Sequence, residues 1–148
     1  MRQVTLTVHE TLPSELNFGE LALLREKTYQ LGDSGKVKER DQYLEKLPRT
    51  FRFTLDSFSK VFGSVFVVDA SSSGYDCFQE LVVVRNRLMH PKGETDLSVT
   101  DDEILKIGKA WVWYPKQIQD VLKSSIEAFD SKVVAMERAF KQAPAQNG

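Results

Sequence analysis

A run of apolar residues that stops at a proline constrains this chain more than any other feature. It lies within Tyr75 to Lys92, YDCFQELVVVRNRLMHPK. Phe78, Leu81, Val82, Leu88 and Met89 recur at helical spacing, which marks a stripe facing a core. The Leu81-Val82-Val83-Val84 stretch alone could equally be a buried strand. About four helical turns between Gly74 and Pro91, with polar residues on both sides, favour a helix. Val83 and Val84 lie off the stripe, so this central helix should be covered on most sides. Arg85 takes a stripe position where a leucine would be expected. An arginine facing a core needs a partner, because an unpaired buried charge costs several kcal/mol.

The same helix carries polar groups that packing does not require. Asn86 and His90 are four apart and share a face. Arg85 and His90 are separated by about 140° around a regular helix, which keeps them apart. Pro91, however, disfavours helical geometry at the residue before it, so His90 can leave the helix and swing back. A purely structural account also exists. A histidine in a last turn suits the helix dipole, and proline after a C-terminus is a routine stop.

The local string RNRLMHPK resembles the signature of the HEPN superfamily (higher eukaryotes and prokaryotes nucleotide-binding), an arginine and a polar residue followed by a histidine. Arg85, Asn86 and His90 match it. The resemblance covers roughly Ser14 to Phe140, with only the motif sharp. It implies a small, all-helical, often dimeric protein and a metal-independent ribonuclease, in a toxin, defence or RNA-processing role. Arg85, Asn86 and His90 would then be catalytic, and Arg87 and Lys92 would steer RNA. The implied partners are RNA, a second copy of the chain, and an antitoxin or other regulatory protein. Lys92 stands where family toxins silenced by a nucleotidyltransferase antitoxin carry the tyrosine that is modified.

With 148 residues, the chain suits one domain, 1–148, with a single core. A net charge of −1 gives no global attraction to nucleic acid, so any RNA contact must be local. The local candidate is Arg85, Arg87, His90 and Lys92. The lone Cys77 precludes an internal disulfide and fits a reducing cytoplasm. No signal peptide or membrane span is apparent. No Cys/His set for zinc and no glycine-rich phosphate loop occurs, so neither metal nor cofactor is expected.

Along the rest of the chain, the expected fold is an up-and-down, all-α bundle of about five helices. Val4, Leu6 and Val8 alternate with threonines, which suggests a short strand in an extended segment 1–13, with Ser64 to Asp69 its only β-like match. Ser14 should cap a helix running to Gly32. Lys36 to Leu47 reads as a charged helix broken by Pro48. Phe51, Leu55, Phe58 and Phe62 set a helix ended by Gly63. Arg49, Arg52 and Lys60 interleave with these aromatics, as in RNA-stacking surfaces, although aromatics at this spacing are normally core. Thr100 and Glu103 form a capping box for a last helix that continues past Pro115 to a frayed tail, 142–148. Trp111, Trp113 and Tyr114 should pack in a core or a dimer interface.

Two functions from different classes fit these residues. In a ribonuclease, His90 would transfer protons and Arg85 would hold the phosphate. In a non-catalytic helical scaffold or RNA- or nucleotide-binding module, Arg85 would instead pair with Glu80 or Glu103. Exposure separates them: a catalytic pair lines an open cleft, a structural one is buried and satisfied.

Overall fold

The computed structural model describes residues 1–11, 14–31, 36–41 and 46–142. In chain order it has α1 (Arg2–Thr11), α2 (Phe18–Leu24), β1 (Lys27–Leu31), β2 (Val37–Asp41), α3 (Leu47–Phe62), α4 (Ser73–Met89), a 3-10 turn (Glu94–Leu97) and α5 (Asp101–Gln142). The all-α class holds, with α4 packed along α5 and α3 packed against both. The strands among the described residues are one antiparallel pair, with Lys27 opposite Asp41 and Leu31 opposite Val37. No helix among the described residues is long and apolar enough to cross a membrane.

Local chemistry sets the helix ends. Pro48 sits in the first turn of α3, where its missing N–H is no loss. Gly63 ends α3 with φ of 70°, in the left-handed region. Its N–H donates to the Lys60 carbonyl and that of Ser64 to the Ser59 carbonyl, both at 3.0 Å. This is the paired bonding of a Schellman cap. Ser72 caps α4 by accepting the Tyr75 N–H. The Thr100–Glu103 capping box opens α5, with Asp101 and Asp102 beside it at the positive end of the dipole. Pro115 falls within α5 without ending it. At 42 residues α5 is roughly 63 Å long.

The core has two clusters. Leu55, Phe58, Val68, Tyr75 and Val121 form the first, and Leu16, Leu24 and Val61 the second, with Phe62 packed against both. Each fully buried aliphatic side chain contributes about 1.5 to 3 kcal/mol. An aromatic group joins three helices: Phe51 of α3, Phe78 of α4, and Trp113 and Tyr114 of α5. Trp113 and Tyr114 are therefore core residues, whereas Trp111 is 69% exposed.

Several expectations give way in the N-terminal third. The 1–13 segment is helical through Thr11, not extended. Tertiary packing overrides the alternation: Leu6 and Val8 lie against the second cluster, and the buried Thr5 hydroxyl bonds the Met1 carbonyl at 3.1 Å. Ser64 to Asp69 is not a strand. Side chains accept two of its backbone N–H groups instead, that of Val68 on Asp56 at 3.2 Å and that of Phe66 on Ser64 at 3.1 Å.

The helix expected from Ser14 to Gly32 is shortened at both ends. Asn17 caps α2, and Glu26, at φ of 55°, turns the chain out of it. Of the charged helix expected from Lys36 to Leu47, Val37–Asp41 is instead β2, too sparse in apolar residues for a packed helical face, and Leu47 opens α3, while residues 42–45 lie outside the described residues. The turn residues Gly32 to Gly35 and the expected frayed tail from 143 onward lie outside the described residues.

Candidate functional site

The Phe51–Phe78 contact, at 5.0 Å between ring centroids, sets the start of α3 beside the N-terminal half of α4. Past that contact the two helices part. A groove of about 670 Å³ opens between Lys46, Leu47, Pro48 and Arg49 on one side and Val82, Val83, Arg85 and Asn86 on the other. The helix thus buries Val84, 3% exposed, and turns Arg85 outward. The expected core-facing position of Arg85 is corrected: an open groove, not a packed neighbour, lies over that face of α4.

Arg85 is exposed, and its Nη1 donates to Asn86 Oδ1 at 2.9 Å. Among the described residues its guanidinium has no carboxylate partner. Neither Glu80 nor Glu103 pairs with it. His90 is the C-cap of α4, with φ of −134° and ψ of 60°, outside the helical region that the following proline disfavours. Its N–H still donates to the Asn86 carbonyl at 3.0 Å, while its exposed imidazole lies in a second hollow of about 600 Å³. Asn86, Arg87, Lys92 and Asp96 complete that hollow. Asn86 is the wall common to both depressions, and Arg85 belongs only to the first of the two.

Arg87 has a different task from the RNA steering expected of it. Its guanidinium donates to both Glu103 oxygens, at 2.8 and 3.1 Å, and to the Ser98 carbonyl at 2.8 Å. It therefore ties α4 to the start of α5 across the loop that holds His90. Lys92 is exposed in the hollow, and its N–H donates to Asp96 at 2.8 Å. Of the basic residues interleaved with the α3 aromatics, Arg52 pairs with Asp56 and Lys60 with Glu20, while Arg49 makes no ion pair among the described residues. His9, the second histidine, bonds Ser14 on another part of the fold. Among the described residues no three His, Cys, Asp or Glu side chains could hold a metal ion.

Glu103 combines two roles, closing the Thr100 capping box and receiving Arg87. The Arg87 hydrogen bonds, then the Thr100 N–H, hold its carboxyl at about 2, below the usual glutamate range. A depressed folded value stabilises the protein above the unfolded value of about 4.5, and that contribution is lost as pH falls toward about 2. The difference in thermal midpoint between wild type and Glu103→Gln should therefore be constant near neutrality and shrink across that acid window. A difference that persists unchanged to the acid end contradicts the pairing.

Comparison with protein-family models, curated proteins and solved structures gives no match. The site therefore rests on its own geometry. Two of its residues escaped the sequence reading, Lys46 and Arg49 as members of one groove with Arg85. Their signal was available: the first turn of α3 carries no acid, where the dipole would favour one.

Proposed function

We propose that this chain is a metal-independent endoribonuclease in which Arg85, Asn86 and His90 act together at the end of α4. One observation carries the reading: the three side chains are exposed at the groove and its adjoining hollow, and Arg85 lacks the acidic partner that a structural role would need. The RNA 2′-OH attacks the adjacent phosphorus, the bond to the 5′-oxygen breaks, and a 2′,3′-cyclic phosphate and a 5′-OH result. His90 takes the 2′-OH proton or supplies one to the leaving oxygen. Arg85, oriented by Asn86, holds the charge developing on the phosphate. Lys92 adds positive charge beside His90.

A single imidazole does not serve as acid and base at once. The reading therefore includes a homodimer in which a second motif faces the first across a twofold cleft. Exposed Leu88, Met89, Ile104 and Leu105 give the neighbouring surface the apolar character that such an interface needs.

A second reading has its own support. Arg85 and His90 face different depressions, which suits an RNA-binding module without catalysis. Incubating purified protein with mixed RNA in EDTA separates the two. Products ending in 2′,3′-cyclic phosphate are expected; intact RNA at high protein concentration would rule out the ribonuclease.

A further inference from the structure

We propose that the groove between the first turn of α3 and the C-terminal half of α4 binds the phosphate backbone of single-stranded RNA. Lys46 and Arg49 would be its principal contacts, and Arg85 would pass the strand toward His90. The proposal extends the ribonuclease reading by naming where substrate enters, but its test does not depend on cleavage.

Charge is the first support. Lys46, Arg49 and Arg85 all line the groove, and none makes an ion pair among the described residues. Among the described residues the lining holds one carboxylate, Glu26, and Arg2 already neutralises it. A locally cationic groove in a chain of net charge −1 is not a by-product of composition.

Placement is the second. Lys46 is the N-cap of α3 and forms no side-chain cap bond, and Arg49 lies three residues on. Both cations stand at the positive end of a 16-residue helix, where they oppose its dipole. Folding alone disfavours them there. A bound polyanion reverses the sign of that interaction, since phosphates are attracted both to the side chains and to the helix end.

Shape and continuity are the third. A volume of about 670 Å³ is that of a small-ligand cleft, and Leu47, Pro48, Val82 and Val83 give it an apolar wall against which a base can lie. Such a cleft takes one strand with its bases splayed out, not a duplex whose bases are paired inside. Because Asn86 borders both depressions, a strand leaving the groove across Asn86 reaches His90 and Lys92 directly.

The test uses the full chain carrying His90→Ala, so that cleavage does not consume the probe. Binding of a short fluorescein-labelled oligouridylate is followed by anisotropy over a range of salt concentrations. Adding Lys46→Glu and Arg49→Glu should weaken binding about tenfold or more and lower the salt slope by about one for each residue. The thermal midpoint should hold or rise, because acids suit the first turn of a helix. If the glutamate variant does not fold, Lys46→Gln with Arg49→Gln should give the same loss of slope.

Reversing Arg138 and Lys141, exposed at the far end of α5, controls for net charge and should leave binding nearly unchanged. Unaltered affinity and slope in the groove variant overturn the proposal, even if the wild type cleaves RNA. An equal loss in the α5 control overturns it as well, and so does displacement of the probe by polyglutamate at equal charge, which would mark an acidic-peptide site. Groove-dependent binding by a protein that never cleaves RNA keeps the groove and removes the ribonuclease.

Discussion

His90→Ala should yield a folded protein whose RNA cleavage has fallen by about 10²-fold or more. Its fold has little to lose, because the hydrogen bond that ends α4 comes from the His90 N–H and survives the substitution. The exposed imidazole has no hydrogen-bond partner among the described residues. What disappears is a favourable dipole interaction of at most about 1 kcal/mol. Arg85→Ala should behave alike. An exposed arginine bonded only to the neighbouring amide can be removed at about 0.5 kcal/mol or less. Arg85→Lys refines the test, since an ammonium keeps the charge but not the planar fork that grips two phosphate oxygens. Activity measured beside urea midpoints checks all three. Full activity in both alanine variants would end the assignment of cleavage to this motif, and unfolding of Arg85→Ala would contradict its exposure.

The largest stability effect is expected at Trp113. Its indole lies among Phe51, Tyr75 and Phe78, with ring centroids between 5.8 and 6.1 Å away. Removing it should cost about 3 kcal/mol or more, as for other large-to-small core changes. The same ring lies over Gly74 so closely that a Cβ there would be 2.1 Å from Trp113 Cδ1. Flanked by three other rings, the indole cannot withdraw cheaply, so Gly74→Ala should cost about 1 to 3 kcal/mol by overpacking. The two changes should not add. In the Trp113→Ala background the new methyl group meets empty space, and Gly74→Ala should become neutral or mildly stabilising. A double-mutant cycle in urea reads this coupling directly, and additive costs would show that the contact is not what requires glycine.

Signals that depend on one helix alone were legible in the sequence. Gly63, Pro91, the Thr100–Glu103 box and the Phe51–Phe62 spacing all act within a few residues, and the ends of α3 and α4 and the start of α5 follow from them. Errors arose where a distant partner decides. The threonine alternation of α1 has a strand's period, but α1 packs on α2 and α3 as a helix. Residues 37–41 are too polar to announce a strand, and their pairing with 27–31 is a matter of cross-strand register. At the site, Arg85, Asn86 and His90 could be picked out in one dimension. That Arg85 faces out and Arg87 pairs with Glu103 could not, because it depends on where α3 starts and on how α5 returns along α4.

The loop from His90 to Thr100 is fastened along its length. Its bonds run from the Lys92 N–H to Asp96, from the Ser98 N–H to the Thr95 carbonyl, from Arg87 to the Ser98 carbonyl, and between Thr100 and Glu103. The order that a ligand-binding loop often acquires only when its ligand arrives is here supplied by folding. A ligand reaching His90 and Lys92 would thus meet a backbone already ordered, and less of its binding energy would be diverted into organising the loop.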